Sequence, residues 1–277
     1  PFGPRPSYVR MRVAGIFESG FFDLDANWAF MSLPAAQKAF DLTDVVNSIE
    51  LMLDDIYQAP PVAAAAPLLL EVPNGLATEH AALTEPLAVG VHAVEKALLK
   101  GDEAPLVVGC GPVGLAVIAA LRLKNIRPIV AADFSPKRRE LAVRMGADIV
   151  IDPATEDPYA KLAPGKRAAL FECVGVPGII QQMMEKAPRD ARIVVVGVCM
   201  ESDTIEPMFG IVKELSLQFV LGYTPEEFAR SLRLLADGQV DAPSLITAKV
   251  GLDGVKGAFA ELGNPERHTK ILVEPWR

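Results

Sequence analysis

Apolar and polar residues follow two different patterns along this chain, and the change between them falls near residue 60. Before it, RMRVAGIFESG, WAFMSL and NSIELML predict short strands and PAAQKAFDL predicts a helix, so residues 1–66 are predicted to form a small α+β segment. After it, short apolar runs alternate with helical patterns. Proline and alanine dominate residues 60–67, which have linker composition. We therefore predict a domain boundary there, with an ordinary loop inside one domain as the alternative.

Six apolar runs in the second part predict strands at residues 106–110, 128–132, 149–151, 168–173, 192–197 and 216–221. Helical patterns such as SPKRRELAVRMG and PGIIQQMMEKA separate them. This alternation predicts an α/β fold, a doubly wound parallel six-stranded Rossmann sheet. Upstream, LLLEVPNGL predicts a short strand, and ATEHAALTEPLAVGVHAVEKALL predicts two helical segments broken near Pro86. Downstream, LITAKV and HTKILVEP predict strands on either side of a helix over residues 252–262.

A glycine-rich turn follows the first of the six strands and opens the next helix, in PLVVGCGPVGLAVIAALRL. Gly109, Gly111 and Gly114 form the pattern G-x-G-x-x-G, which lets the backbone approach a pyrophosphate at a helix N-terminus. Asp133 ends the next apolar run, nineteen residues after Gly114. A carboxylate there accepts hydrogen bonds from an adenosine ribose and repels a 2′-phosphate. These residues predict a dinucleotide site that prefers NAD over NADP; a tight turn without a ligand is the alternative.

Composition narrows the choice of partners and compartment. The formal net charge is −8, and no basic cluster is present, so nucleic acid and anionic membranes are not expected as partners. Half of the 277 residues are hydrophobic (51%), which is ample for a buried core. Cys110, Cys173 and Cys199 form no C-x-x-C pair and are expected to be buried, reduced thiols. With no signal-peptide pattern in PFGPRPSYVRMR, the expected location is cytoplasmic.

Residues 68–277 resemble the zinc-type medium-chain alcohol and polyol dehydrogenases, in phrases such as LTEPLAVGVHAVEKA, LAVRMGADIVID, FECVGVPGII and GIVKELSLQFVLGY. The resemblance implies NAD as cofactor, zinc as the catalytic metal of the family, and hydride transfer between NAD and a secondary alcohol or ketone. It divides the second part into a remnant linker and helix (67–104), an NAD-binding domain (105–238) and a segment returning toward the catalytic domain (239–277). The implied cofactor-binding positions are Gly109, Gly111, Pro112, Val113, Gly114, Asp133, Arg138, Val174, Val196, Gly197 and Val198.

The cysteine and the His-Glu pair that hold zinc in that family have no match in this sequence. The family holds its catalytic zinc through a cysteine and a His-Glu pair in an N-terminal domain, whereas the three cysteines here all lie in the nucleotide-binding part. Glu85 is the one position that corresponds to the metal site of the family. The alternative is a carboxylate that complements a helix dipole. Because catalytic zinc sites have about three protein ligands, zinc binding and zinc-dependent turnover are both in question.

Other polar residues have two interpretations each. Glu172 ends a predicted strand at the carboxyl edge of the sheet, where ligands bind, or is simply a packed strand terminus. His92 is a core or surface histidine or a proton relay, and the basic residues 137–139 are a solvated turn or contact adenosine. His80 is expected to be exposed, and no role is predicted for His268.

Residues 9–66 are similar to a second, unrelated family. The phrases RVAGIFESGFFDLDANWAFMSLPAAQKAF and IELMLDDIYQAP resemble part of the periplasmic domain of lipoprotein-releasing ABC transporter permeases. The membrane helices of those permeases have no counterpart in the sequence, so the resemblance does not imply transport. A fusion of two unrelated sequences is one hypothesis that the resemblance raises.

Three hypotheses for function follow. The first is an NAD-dependent oxidoreductase impaired by the lack of zinc ligands, acting on a small alcohol or ketone. The second is a non-catalytic NAD-binding or partner-binding module, and the third is a chimeric fusion in which the first segment has no bearing on activity. The apolar run KELSLQFVLG is a candidate sheet edge and predicts a homo-oligomer.

Overall fold

The computed structural model describes residues 70, 72–73, 75–264 and 266–275. The chain divides into two units, Pro1–Val72 and Pro73–Arg277, and the second contains nearly all of the described residues. The elements predicted for residues 1–66, and the boundary predicted at residues 60–67, lie outside the described residues and stay predictions.

A parallel six-stranded sheet forms the centre of the second unit, with strand order β3-β2-β1-β4-β5-β6. All six predicted strands are present, and their ends differ from the predicted ones by at most two residues. The doubly wound α/β Rossmann-like fold is therefore confirmed. The strand bounds are β1 Ala104–Val108, β2 Val130–Ala132, β3 Ile149–Ile151, β4 Ala168–Glu172, β5 Arg192–Val195 and β6 Ser216–Phe219.

Helices connect the strands and cover both faces of the sheet. Their bounds are α1 Thr78–Ala81, α2 Thr84–Lys96, α3 Pro112–Leu123, α4 Pro136–Met145, α5 Ile179–Lys186, α6 Pro207–Lys213, α7 Pro225–Ala236 and α8 Val255–Leu262, with 3₁₀ turns at Pro158–Lys161, Pro243–Leu245 and Leu252–Gly254. A second sheet pairs β7 (Ile246–Val250) with β8 (Lys270–Val273) in parallel. Within the described part of the chain, no helix is long and apolar enough to cross a membrane.

Alternation of side chains along each strand divides the core into two layers. Val107 and Phe171 belong to one apolar cluster, which also contains residues of α2 and α3. Leu106 and Leu170, one position earlier in each strand, belong to a second cluster that contains Met183 of α5. Successive strand residues point to opposite faces of a sheet. Because helices cover both faces here, both sets of side chains are buried and the strands are mostly apolar. This packing holds the carboxyl ends of β1, β2 and β4 together at one edge.

Two local predictions were wrong, and one helix was missed. The described residues of LLLEVPNGL form no strand, and the break between the first two helices lies at Ala82 and Leu83 rather than at Pro86. Pro86 is tolerated in the first turn of α2 because the first N–H groups of a helix have no acceptor within it. Helix α6, which the sequence did not predict, is only seven residues long and begins at a proline.

Candidate dinucleotide site

The glycine-rich turn connects β1 to α3 and has the geometry of an anion cradle. Gly109 has φ of 92°, and a Cβ on Gly114 would lie 1.9 Å from the carbonyl oxygen of Gly109. A Cβ on Gly111 would instead meet no heavy atom within 4 Å. Gly111 is the N-cap of α3 and Pro112 is its first residue, so the open side of the turn faces the positive end of the helix dipole. The residues present therefore fit a pyrophosphate approaching the backbone at Gly111.

Asp133 is bound directly to this turn. The N–H of Cys110 donates to Asp133 Oδ2, and the N–H of Ser135 donates to Asp133 Oδ1, each at 2.8 Å. Each carboxylate oxygen can accept a further hydrogen bond. The side chain is only 9% exposed, so its position relative to the turn is fixed. The sequence predicted the residue but not the bond to Cys110, which fixes the distance between the Asp133 carboxylate and the glycine-rich turn.

Two arginines near Asp133 have different partners. Arg138 Nη1 lies 3.8 Å from Asp133 Oδ2, so these two implied cofactor-binding residues are neighbours. Arg139 Nη1 donates to the carbonyl oxygens of Asp133 and Phe134 at 2.7 and 2.8 Å and forms an ion pair with Asp152. Arg139 therefore stabilises the backbone after β2, which the sequence could not distinguish from a solvated turn.

The loops after β4 and β5 lie at the same edge of the sheet. Val174 and Val198 expose 42% and 52% of their surface, so each is available to contact a ligand. Val196 is buried in the core instead, which leaves its backbone as the group that can line a site. Gly197 packs closely against the loop after β4. A Cβ on Gly197 would lie only 2.4 Å from the N atom of Gly175 in that loop. Val113 is partly buried against the core.

Glu85 lies in the first turn of α2 and keeps an exposed surface. Partial burial raises the pKa of its carboxyl above the ordinary value, and the positive charge of Lys270 partly opposes that rise. Among the described residues no group of three or more histidine, cysteine, aspartate or glutamate side chains could hold a metal ion. The described part of the chain therefore does not fit a catalytic zinc, and Glu85 alone does not make one.

The histidines are engaged in structural contacts. His92 Nδ1 lies 2.8 Å from Glu227 Oε2, and the same carboxylate caps α7, so this pair joins α2 to α7. His268 Nε2 lies 2.8 Å from Glu261 Oε2, a contact the sequence did not predict. His80 is partly exposed beside Glu79, in agreement with the prediction.

The three cysteines are free thiols. Cys110 is fully buried, whereas Cys173 and Cys199 keep some exposed surface, so the expectation of three buried residues holds only for the first. Burial, with the negative charge of Glu172 as a smaller cause, raises the pKa of the Cys173 thiol. Cys110 has a raised pKa for the same reason, with Asp133 as its neighbour. Neither thiol is activated as a nucleophile.

Much of the second unit is similar to known dehydrogenases. Residues 112–237 match the family model described as zinc-binding dehydrogenase. (R,R)-butanediol dehydrogenase of Bacillus subtilis is 34% identical over 213 residues, which cover 75% of this chain and 61% of that relative. Sorbitol dehydrogenase of the same organism is 27% identical over 267 residues, which cover 94% of this chain and 70% of the relative. The chain thus spans about three fifths of the length of the butanediol dehydrogenase.

Escherichia coli L-idonate 5-dehydrogenase (NAD(P)(+)) is a third relative, 30% identical over 195 residues that cover 69% of this chain and 56% of the enzyme. The solved structure of that enzyme superimposes with a TM-score of 0.67 at 26% identity, covering 74% of this chain and 59% of the other. The name of this relative includes both cofactors, so resemblance alone does not decide between NAD and NADP. The resemblance of residues 9–66 to transporter permeases has no support among these matches.

Proposed function

We propose that this chain, which carries a zinc-binding dehydrogenase domain, binds NAD in preference to NADP and is an oxidoreductase of the type that transfers hydride between NAD and a secondary alcohol or ketone, with turnover impaired by the lack of zinc ligands among the described residues. One observation carries the proposal: the space in front of Gly111 is open, and the Asp133 carboxylate is hydrogen-bonded to the same turn. A pyrophosphate needs the first feature and an adenosine ribose needs the second. The reaction class rests on the relatives, which are named as butanediol, sorbitol and idonate dehydrogenases.

The residues of this chain bind and orient the dinucleotide in this proposal. The backbone at Gly109, Gly111 and Gly114 receives the pyrophosphate, and the dipole of α3 stabilises its negative charge. Asp133 accepts hydrogen bonds from the ribose hydroxyls, and Arg138 lies beside it. Val174 and Val198 exclude water from the remaining half of the ligand. The bound NAD supplies the hydride acceptor.

We propose no described residue as the electrophile that stabilises a developing alkoxide. Hydride transfer from an alcohol needs charge stabilisation at the oxygen, and zinc supplies it in many dehydrogenases. Glu85 would supply a single ligand to a metal ion, and one carboxylate does not make a catalytic zinc site. NAD binding and turnover are therefore separate claims, and each has its own test.

A metal assay combined with NAD reduction tests the second claim. The purified chain is incubated with NAD and a panel of secondary alcohols and polyols, and bound zinc is measured on the same preparation. We expect NAD binding with zinc far below one ion per chain and turnover much slower than that of a zinc-loaded dehydrogenase. Near-stoichiometric zinc together with rapid turnover would contradict the proposed impairment.

A non-catalytic role is the second candidate, and the lack of a metal-binding group among the described residues favours it. In this role residues 1–66 recognise a partner, and NAD occupancy changes the stability of the second unit. A chimeric origin of the first segment is the related possibility. Sequencing the encoding DNA across codons 55–70 tests it, because a frameshift or an artificial junction there would remove residues 1–66 from any proposal about function. The proposed location is the cytosol, in agreement with three free thiols.

The edge strand β6 supports a proposal of self-association. Phe219, the last residue of β6, and Leu221, two residues beyond it, are 62% and 85% exposed, and β6 is the last strand of the sheet in the part of the chain that the structure describes. An apolar, unpaired edge favours pairing with another strand. We expect the wild type to sediment as a dimer and Phe219→Asp to shift it toward a monomer. Phe259→Asp, at an equally exposed position on α8, is the control and should leave the dimer intact. A monomeric wild type would refute the proposal.

A further inference from the structure

Glu172 occupies the point where the order of the strands reverses. It is the last residue of β4, which lies between β1 and β5, and it is 1% exposed. In a doubly wound sheet the dinucleotide crosses the carboxyl edge at this point, with one nucleotide half on each side. Asp133 follows β2, on the β1–β3 side. The loops after β4 and β5 are therefore left for the nicotinamide half.

Glu172 accepts hydrogen bonds from both of those loops. Its carboxylate Oε1 accepts from the N–H of Val174 at 2.7 Å and from the N–H of Gly175 at 2.9 Å. Its backbone oxygen accepts from the N–H groups of Val196 and Gly197, both at 2.9 Å. The loop after β4 is thus fixed by the side chain, and the loop after β5 by the main chain.

Close contacts between the two loops make the arrangement specific. A Cβ on Gly197 would lie 2.7 Å from Glu172 Oε2, and a Cβ on Gly175 would lie 2.8 Å from the carbonyl oxygen of Val198. The carboxylate therefore packs between the loops as well as bonding to one of them. A buried carboxylate is costly unless its oxygens accept hydrogen bonds, and here the loop amides are the donors.

The geometry points to Glu172 as a positioning residue for the nicotinamide half of the dinucleotide. By contacting the two loops it fixes the positions of Val174 and Val198, whose side chains are partly exposed at the carboxyl edge. This inference rests on the proposed binding of NAD. It assigns to Glu172 no contact with the ligand and no proton transfer.

Binding of two ligands to a set of matched variants tests the inference. NAD spans both halves of the site, whereas adenosine monophosphate occupies only the side of Asp133. Calorimetry of Glu172→Ala should show NAD affinity reduced by about ten-fold, because the loop after β4 loses its acceptor and has to be ordered when the ligand binds. The affinity for adenosine monophosphate should be unchanged. Glu172→Gln should give a smaller loss, because its amide oxygen can still accept from Val174 and Gly175.

Glu103 provides the matched control. It is also a buried glutamate whose carboxylate accepts two loop N–H groups, from Lys100 and Gly101, but it precedes β1 at the opposite edge of the sheet. Glu103→Ala and Glu103→Gln should lower the melting temperature while leaving the affinity for both ligands unchanged.

The outcomes separate this inference from the proposed function. If the wild type binds no NAD, the proposed function fails and the inference fails with it. If the wild type binds NAD but the Glu172 variants lose affinity for both ligands in parallel, or for neither, only the positioning role is overturned. If Glu172→Ala does not fold, the comparison of Glu172→Gln with Glu103→Gln decides.

Discussion

Gly111→Ala is expected to reduce the affinity for NAD by about 10- to 100-fold. The added methyl group occupies the space in front of the turn, so the charged pyrophosphate can no longer accept hydrogen bonds from the backbone N–H groups there. The free protein should tolerate the change well. Gly111 has φ of −69° and ψ of −175°, which any residue can adopt, and a Cβ there meets no heavy atom within 4 Å. Replacement of glycine at a compatible position raises the free energy of unfolding by about 0.4–1 kcal/mol. Alanine is a poorer N-cap than glycine, which offsets this gain, so the stability should stay close to that of the wild type. Calorimetric titration with NAD and denaturant unfolding measure the two effects.

Gly114→Ala is the matched comparison within the same turn. Its Cβ would lie 1.9 Å from the carbonyl oxygen of Gly109, so the backbone has to move. We expect this variant to lose about 1–3 kcal/mol of stability, as overpacked substitutions do. If Gly111→Ala were destabilised as strongly as Gly114→Ala, or if it bound NAD normally, the cradle at Gly111 would be misplaced.

Asp133→Ala is expected to weaken NAD binding by about ten-fold or more, because hydrogen bonds from the ribose to a charged acceptor contribute about 1.5–3 kcal/mol. Affinity for NADP should fall less or rise, since the carboxylate that repels a 2′-phosphate is gone. The variant should also be less stable, because the N–H groups of Cys110 and Ser135 lose their acceptor. Titrations with both cofactors measure the ratio of affinities, which a general loss of stability would not change.

Asp148→Ala is the control for Asp133→Ala. Asp148 accepts a hydrogen bond from the N–H of Ile129 at 2.7 Å and pairs with Arg127, but it precedes β3 at the other edge of the sheet. Arg127 holds the pKa of the Asp148 carboxyl below its ordinary value although burial opposes this, so the charge is structural. Its loss should lower stability and leave the ratio of NAD to NADP affinity unchanged. An unchanged ratio in Asp133→Ala as well would refute the placement of the ribose.

The sheet was predictable because each strand carries its own signal. The inner strands β1, β2, β4 and β5 are buried on both faces and form nearly uninterrupted apolar runs. The edge strands β3 and β6 are less buried, and their apolar runs also became strands. Elements with weak local signals were missed or misplaced. The seven residues of α6 are too few to show a helical period. Proline is typical of a helix break, so the sequence predicts a break at Pro86, but this residue lies in the first turn of α2. The apolar run in LLLEVPNGL predicts a strand, but the described residues of this segment have no strand partner.

The candidate site was predictable only where its residues are close in sequence. Gly109, Gly111 and Gly114 form one motif, and Asp133 follows at a fixed spacing. The bond from Cys110 to Asp133 and the contacts of Glu172 depend on which strands are neighbours and in what register, which sequence periodicity does not give. A signal for Glu172 existed, since it is a charged residue at the end of an apolar strand. Its interpretation as a packed terminus or a ligand group could not be resolved without the positions of both loops.

Calorimetric titration of the wild-type chain with NAD tests the proposed site most directly. The measurement requires neither a metal nor a substrate. We predict saturable binding of one NAD per chain, with weaker binding of NADP and with the signal greatly reduced in Gly111→Ala. No heat of binding for the folded wild type, or equal binding by Gly111→Ala, would contradict the assignment of residues 109–133 as a dinucleotide site.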